Sequence, residues 1–125
     1  AGLGHNMGLD VHDMEDLGEI FVGYDHTVTR STQFGLKSLR MARALQVGNV
    51  MTVEPGFYFI PTLLEMWKKE GHNAAFINFD KCVPHYNFGG IRIEDDVLIT
   101  PKGHRLLGSK RLPVTVEEIE SVMNR

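Results

Sequence analysis

Short apolar runs broken by glycine and proline occupy the middle of the chain and predict strands. Asn49–Val53 is one such run, and the apolar pattern resumes at Phe57–Ile60. Pro55 and Gly56 lie between the two runs; proline lacks the N–H that a ladder needs, and glycine permits a tight turn. The pattern therefore predicts two strands, with Glu54 at the end of the first.

The clearest strand prediction covers Gly90–Thr100, where apolar and polar positions alternate over most of the segment. A turn at Pro101–Gly103 follows it, and His104–Leu107 predicts a further strand. Two strand patterns joined by so short a connection indicate a β-hairpin.

Three segments have apolar residues at or near helical spacing. Pro61–Glu70 begins with a proline, which is favoured in a first helical turn, and a glycine follows it. Thr115–Met123 carries an apolar stripe, and its first residue forms a capping box with Glu118. Leu36–Leu45 predicts a helical turn or two.

The remaining segments are rich in glycine and polar residues and predict loops at residues 2–13, 13–35 and 72–88. Within the first of them, Leu9–Val11 predicts a short strand. Strands that pair as hairpins, together with a few helices, indicate the α+β class. At 125 residues the chain is about one domain long, and we expect it to bury a core of its own.

Composition and charge exclude several classes of function. The net charge is −3, and no run of lysine or arginine exceeds a pair, which argues against a nucleic-acid surface. The apolar runs are far too short to span a bilayer, so we expect no membrane association. The single cysteine, Cys82, cannot form an internal disulfide and favours a reducing, cytoplasmic setting.

Three side chains of metal-ligand type lie in separate segments with glycine or proline close by. They are His5 in Gly2-Leu-Gly-His-Asn-Met-Gly, Glu54 in Thr52-Val-Glu-Pro-Gly, and Glu94 in Gly90-Ile-Arg-Ile-Glu-Asp-Asp. One imidazole and two carboxylates suit a divalent cation of hard to borderline character. If the three converge, the chain carries part of a metal centre, and a hydrolase is the leading hypothesis.

Both carboxylates also have a structural interpretation. On the predicted strand, Glu94 shares a face with Arg92 and Asp96, which is equally compatible with the solvated side of a sheet. Glu54 has apolar neighbours and would need a partner if buried, which a salt bridge to Arg40 or Arg92 would provide. Residue types alone leave metal binding and salt bridging open.

The histidine candidate lies in a short glycine-rich run. His5 is followed in this run by Asp10, His12 and Asp13. Histidine is a common metal ligand and a general acid or base near neutral pH. The same residues are compatible with a loop that caps its own backbone.

Together these motifs resemble those of the pita-bread metallopeptidases, a family that includes prolidase (Xaa-Pro dipeptidase), aminopeptidase P and methionine aminopeptidase. The segments around His5, Glu54 and Glu94 occur in the family's order and approximate spacing. The segment Ser38-Leu-Arg and the helix that begins at Thr115 look similar to prolidase-type members in particular. The resemblance extends over nearly the whole chain and implies half of a pita-bread fold, with a curved antiparallel sheet and flanking helices.

The resemblance implies a two-metal site. By position, His5, Glu54 and Glu94 would be metal ligands, with Glu94 bridging two divalent ions. Residues 1–125 would form the C-terminal half of the catalytic domain, and an absent N-terminal half would supply two aspartate ligands. The family implies Mn²⁺, and the ligand set also admits Co²⁺ or Zn²⁺. Ala1 departs from the family pattern, which usually has a histidine there.

The resemblance also implies roles for the remaining candidates. His12 would contact substrate or stabilise the tetrahedral intermediate, and Glu54 would double as the catalytic base. Arg40 would face the C-terminal carboxylate of a dipeptide, a role suited to a guanidinium, and Arg92 would lie on the substrate side.

The implied function is hydrolysis of Xaa-Pro dipeptides. The chain would act only when joined to the absent half, in a protein that forms a homodimer, and would be inactive alone. The alternatives are an aminopeptidase P acting on longer Xaa-Pro peptides and a non-catalytic pita-bread module that binds protein or peptide.

Overall fold

The computed structural model describes residues 2–13 and 17–124. Their contacts divide the chain into two compact units, one formed by Ala1–Pro55 and Ile93–Arg125 and the other by Gly56–Arg92. The predicted departure at Ala1, and residues 14–16 of the predicted 13–35 loop, lie outside the described residues. In chain order the helices and strands are α1 (Glu19–Val22), β1 (Val50–Val53), β2 (Gly56–Tyr58), α2 (Pro61–Glu70), α3 (Phe79–Cys82), β3 (Gly90–Arg92), β4 (Asp95–Thr100), β5 (Gly103–Leu106) and α4 (Val116–Met123).

A three-stranded antiparallel sheet in the order β1-β4-β5 forms the centre of the first unit. In its register Met51 is opposite Val97, which in turn is opposite Leu106. Met51 and Val97 are buried, and Tyr24 is the third buried hydrophobic residue of this unit among those described. The predicted strands Asn49–Val53 and His104–Leu107 are confirmed as β1 and β5 to within one residue, and the hairpin that joins β4 to β5 is confirmed as well.

The segment Leu3–Met7 extends this sheet on the edge of β1 opposite β4. Three backbone hydrogen bonds of 2.7, 2.9 and 3.0 Å join the segment to Glu54 and to two alternate residues of β1. The intervening residues of β1 bond to β4 instead, as expected for a strand with a neighbour on each side. This pairing brings the start of the chain to the end of β1.

The predicted continuous strand Gly90–Thr100 is wrong, because the chain leaves the strand conformation at Ile93 and Glu94. Its first part, β3, pairs with β2, and its second part, β4, pairs with β1. The break lies opposite the interruption between β1 and β2, where Pro55 has no N–H to donate to a ladder. Ile93 N donates to the Pro55 carbonyl at 3.2 Å, and regular pairing stops there.

The second unit contains the two-stranded sheet β2-β3 and helix α2. Helix α2 has the predicted bounds, with proline in its first turn, and it ends at Gly71, whose φ of 69° lies in the left-handed region that favours glycine. The region predicted as a loop at residues 72–88 also contains α3, which Asn78 caps by accepting a hydrogen bond from Lys81 N. Leu64 and Phe79 are the buried hydrophobic residues described in this unit.

Helix α4 is confirmed together with its capping box. Thr115 Oγ1 accepts from Glu118 N at 3.2 Å, and Glu118 Oε2 accepts from Thr115 N at 3.0 Å. Backbone N–H donation from Thr115 and Val114 to this carboxylate lowers the pKa of Glu118. The reciprocal bonds explain why the helix begins at Val116.

Two further local predictions are wrong. Leu36–Leu45 forms a turn at its start and is irregular afterwards, and Leu39, Met41 and Leu45 line one groove. They are separated by two and by four positions, and the segment adopts no helix after its opening turn. Leu9–Val11 is not a strand, because a hydrogen bond from Leu9 N to Asp13 Oδ2 (3.1 Å) closes a local turn.

The hydrophobic core is smaller than the length of the chain predicts. Among the described residues, the buried hydrophobic residues are the five named above. Large apolar side chains are exposed in both units, including Leu9 in the first and Phe76 in the second. In the part of the chain that the structure describes, no helix is both long and apolar enough to cross a membrane.

Candidate active site

His5 is held by backbone contacts along β1. Its N–H donates to Thr52 Oγ1 at 3.0 Å, and its carbonyl accepts from Thr52 N at 2.9 Å. The preceding residue, Gly4, passes so close to β1 that a Cβ there would lie 1.9 Å from the Thr52 carbonyl oxygen. The glycine therefore permits the close approach that buries His5, which is 2% exposed.

The imidazole of His5 faces the carboxylate of Glu54. Glu54 follows the last residue of β1, and its Oε1 lies 3.0 Å from His5 Nε2. The same carboxylate oxygen accepts from Thr52 Oγ1 at 3.2 Å. Because β1 residues alternate between faces, Thr52 and Glu54 share the face on which His5 lies. Two of the three predicted ligands therefore meet.

The second ring nitrogen of His5 determines what this pair requires. His5 Nδ1 lies 2.8 Å from the carbonyl oxygen of Asn6, and a carbonyl only accepts, so Nδ1 carries a proton. In a neutral ring, Nε2 would then direct a lone pair at the Glu54 carboxylate. Two acceptor atoms at this distance need a proton or a bound cation between them.

The third predicted ligand, Glu94, belongs to the same unit and is exposed. It lines a cleft of about 190 Å³ with Asp95, Asp96, Lys110 and Arg111. Within residues 2–13 and 17–124, no group of three or more His, Cys, Asp or Glu side chains is placed to hold a metal ion. A shared site that includes Glu94 therefore stays a prediction.

His12 and Arg40 lie beside the His5–Glu54 pair. The rings of His12 and His5 meet edge to face, with centroids 4.7 Å apart. Arg40 Nη1 lies 3.0 Å from His12 Nε2, and because a guanidinium only donates, this nitrogen of His12 is the acceptor. Asp13, from the same predicted cluster, accepts from a backbone N–H of its own loop.

Arg92 belongs to the second unit, on β3. Its Nε donates to the hydroxyl oxygen of Tyr58 at 3.1 Å. Tyr58 lies on the neighbouring strand β2, two residues after Gly56, which is opposite Arg92 in the register. The structure therefore ties this guanidinium to its own sheet. Its predicted role on the substrate side stays a prediction.

Thr52 is a residue of the candidate site that inspection of the sequence missed. It is 1% exposed, and its hydroxyl bonds both to the backbone of His5 and to the carboxylate of Glu54. The sequence contains a sign of this role, because Thr52 precedes Glu54 by two positions on a predicted strand and so shares its face.

Comparison with known proteins gives consistent matches. A model of metallopeptidase family M24 matches residues 1–101. The chain is 48% identical over 122 residues to Xaa-Pro dipeptidase of Rattus norvegicus, and this match covers 98% of this chain and 23% of that protein. It is 38% identical over 121 residues to a probable Xaa-Pro aminopeptidase of Aspergillus clavatus, covering 97% of this chain and 24% of that protein.

A solved structure matches as well. Proline aminopeptidase P II from Yersinia pestis is 32% identical, with a TM-score of 0.53, and the match covers 98% of this chain and 20% of that one. The chain spans about a quarter of the length of the curated relatives it matches.

Proposed function

Because the chain belongs to metallopeptidase family M24, we propose that it carries part of the active site of a metal-dependent peptidase that cleaves Xaa-Pro dipeptides. The identity to a protein named Xaa-Pro dipeptidase supports this substrate class. The remainder of the site, including two aspartate ligands, would come from the part of the protein that corresponds to the rest of its relatives.

The observation that carries the proposal is the arrangement of His5 and Glu54. A metal-ligating histidine usually donates its other ring N–H to a carbonyl or carboxylate, as His5 Nδ1 does to the Asn6 carbonyl. Two ligand atoms about 2.1 Å from one ion and at right angles to each other are about 3.0 Å apart. The separation of His5 Nε2 and Glu54 Oε1 is 3.0 Å. These two donors therefore fit a divalent cation.

Glu94 would be the third ligand and would bridge two ions. The set of one imidazole with carboxylates suits Mn²⁺ and also admits Co²⁺ or Zn²⁺. Such ions supply Lewis-acid activation of water and of the scissile carbonyl. All three family ligands of this segment are present in the sequence, which favours an enzyme over a non-catalytic binding module.

The residues of this chain would perform three tasks. Glu54 would accept the proton of the attacking water, with Thr52 orienting one carboxylate oxygen through the hydrogen bond at 3.2 Å. Because Arg40 donates to His12 Nε2, the proton of a neutral His12 lies on Nδ1, and this nitrogen would donate to the substrate. The guanidinium of Arg40 would pair with the substrate's C-terminal carboxylate.

The second candidate function is an aminopeptidase P, which takes longer Xaa-Pro peptides. The match to a probable Xaa-Pro aminopeptidase of Aspergillus clavatus favours it. A dipeptide places its C-terminal carboxylate close to the scissile bond, whereas a longer peptide does not. Arg40 bonds to His12, whose ring contacts that of His5, so a cationic side chain lies close to the His5–Glu54 pair. This position supports the dipeptidase.

The test is hydrolysis of Gly-Pro by the full-length protein with added Mn²⁺. Glu94→Gln should abolish activity because the amide removes the charge that would bridge two ions. Glu65→Gln, on the exposed side of α2, is the matched control and should leave activity unchanged. Retained activity in Glu94→Gln would remove this residue from the metal site. A longer substrate such as Gly-Pro-Ala, cleaved in preference to Gly-Pro, would favour the aminopeptidase.

The purified chain of 125 residues should show no hydrolysis by itself, because two ligands are expected from the rest of the protein. Turnover by the isolated chain would refute the division of the site between two parts. A homodimeric full-length protein and a cytoplasmic location stay predictions.

A further inference from the structure

The irregular segment that contains Arg40 is fixed by two neighbouring residues, Gly23 and Tyr24. The hydroxyl of Tyr24 donates to the carbonyl oxygen of Leu39 at 2.9 Å. Ala42 N donates to the carbonyl oxygen of Gly23 at 2.7 Å. These two bonds lie on either side of Arg40 in the chain, so they fix the backbone from which its side chain projects.

Gly23 is required here for space and not for conformation. Its φ of −102° and ψ of −2° are accessible to any residue. A Cβ at this position, however, would lie 1.6 Å from the carbonyl oxygen of Arg40 and 2.7 Å from its carbonyl carbon. Both atoms belong to backbone, which cannot rotate aside as the tip of a side chain can. Any larger residue at position 23 would therefore displace the backbone of Arg40.

Tyr24 provides a rigid support for the same segment. It is 7% exposed and is one of the buried hydrophobic residues of its unit. A buried ring has few alternative positions, so its hydroxyl is presented to Leu39 from a fixed point. The hydroxyl gains a partner, and the Leu39 carbonyl is held immediately before Arg40.

We infer that Gly23 and Tyr24 are positioning residues that set the place of the Arg40 guanidinium beside His12, and thereby the affinity for the substrate's carboxylate. Arg40 reaches His12 Nε2 at 3.0 Å, and a bidentate contact to a carboxylate tolerates little displacement. The inference rests on the proposed function for its effect on substrate, whereas the placement of Arg40 is measurable without any activity.

The first test is structural and independent of catalysis. Crystal structures of the full-length protein and of its Gly23→Ala and Tyr24→Phe variants should show Arg40 Nη1 displaced from His12 Nε2 in both variants. Tyr86→Phe is the matched control, because the described residues give its hydroxyl no hydrogen bond. If the distance between Arg40 Nη1 and His12 Nε2 stays at 3.0 Å in both the Gly23→Ala and the Tyr24→Phe variant, the inference is overturned, whatever the activity of the protein.

The second test uses the kinetics of Gly-Pro hydrolysis with Mn²⁺. Tyr24→Phe should raise KM about three- to tenfold with little change in kcat, the size expected for one lost hydrogen bond. In an Arg40→Ala background, Tyr24→Phe should add nothing further, because the residue acts through Arg40. An equal additional loss in that background would assign Tyr24 a general structural role and overturn the inference. Absence of Xaa-Pro hydrolysis in the unsubstituted protein would refute only the proposed function, since the distances would still decide the positioning role.

Discussion

Replacing Thr52 with valine tests whether its hydroxyl prepares the His5–Glu54 pair for a cation. Thr52 Oγ1 accepts from His5 N at 3.0 Å and donates to Glu54 Oε1 at 3.2 Å. Valine has a similar shape and a similar preference for strands, so the backbone of β1 should persist. The substitution removes both hydrogen bonds at a position that is 1% exposed, where water does not readily replace them.

The expected magnitude follows from two independent considerations. A hydrogen bond to a charged group contributes about 1.5–3 kcal/mol to stability, and a buried donor that loses its partner costs about 1–3 kcal/mol. Loss of a residue that orients a metal ligand typically lowers metal affinity about 10- to 100-fold, which corresponds to about 1.4–2.7 kcal/mol. The free energy of the lost hydrogen bonds is therefore similar in size to the loss of metal-binding free energy. We expect Thr52→Val to weaken Mn²⁺ binding by about one to two orders of magnitude.

The assay is calorimetric titration of the metal-free full-length protein with Mn²⁺, accompanied by the Mn²⁺ dependence of Gly-Pro hydrolysis. Thr52→Ser is the matched control, because it keeps the hydroxyl and loses only a methyl group, and its affinity should stay close to that of the unsubstituted protein. Equal affinities for the valine variant and the unsubstituted protein would refute the reasoning. Equal losses for valine and serine would assign the effect to packing and refute it as well.

Three further predictions concern other parts of the chain. Gly4→Ala should lower Mn²⁺ affinity, because the added Cβ would lie 1.9 Å from the Thr52 carbonyl oxygen. Gly2→Ala is the control and should leave the affinity unchanged, because its nearest contact would be 3.4 Å. Identical Mn²⁺ titrations of the two variants would contradict this prediction. Because folding lowers the pKa of Glu118, its ionised carboxylate stabilises the start of α4 at any pH above the ordinary pKa of glutamate. This stabilisation is lost as the pH falls through the lower pKa of the folded state. The NMR shifts of α4 should therefore lose helical character with acidification, whereas Glu118→Gln should show no such transition; a variant with the same transition would assign it to another group. The isolated chain should bind the dye ANS more strongly than the full-length protein, because its apolar side chains are exposed, and equal binding would show that they are covered within the chain.

The helices that could be predicted from the sequence are those whose first and last residues carry a local signal. Helix α2 begins with a proline and ends at a glycine, and α4 begins with a capping box, so each boundary is encoded locally. Membership of the metallopeptidase family, predicted from three motifs, is confirmed. The α+β class is also confirmed, and its antiparallel sheets with flanking helices are part of the pita-bread fold.

The wrong predictions depended on residues distant in sequence. The strand Gly90–Thr100 is divided because the strand on which it pairs is interrupted at Pro55, and nothing within the segment itself encodes that break. Leu36–Leu45 has apolar residues near helical spacing, yet no helix forms there, and Leu39, Met41 and Leu45 line a groove together with Met51 and Val53 of β1. Local pattern does not contain such information.

The candidate site was predictable in its residue types and not in its geometry. Glycine, histidine and glutamate in stiff contexts identified His5 and Glu54 as chemically notable. The two side chains meet because the segment Leu3–Met7 pairs with β1. His5 and Thr52, which are hydrogen-bonded in this pairing, are 47 positions apart in the sequence. The support from Thr52, Gly23 and Tyr24 became evident only from those contacts.

The placement of His5 on an outer segment of the sheet has a kinetic consequence. Glu54 follows a strand with neighbours on both sides, whereas His5 is attached along one side of β1 by a few backbone bonds. If the pair holds an ion, peeling of Leu3–Met7 from β1 would detach one ligand while the other stays in place. The rate of metal release would then report how often this outer segment opens, and would be independent of global unfolding.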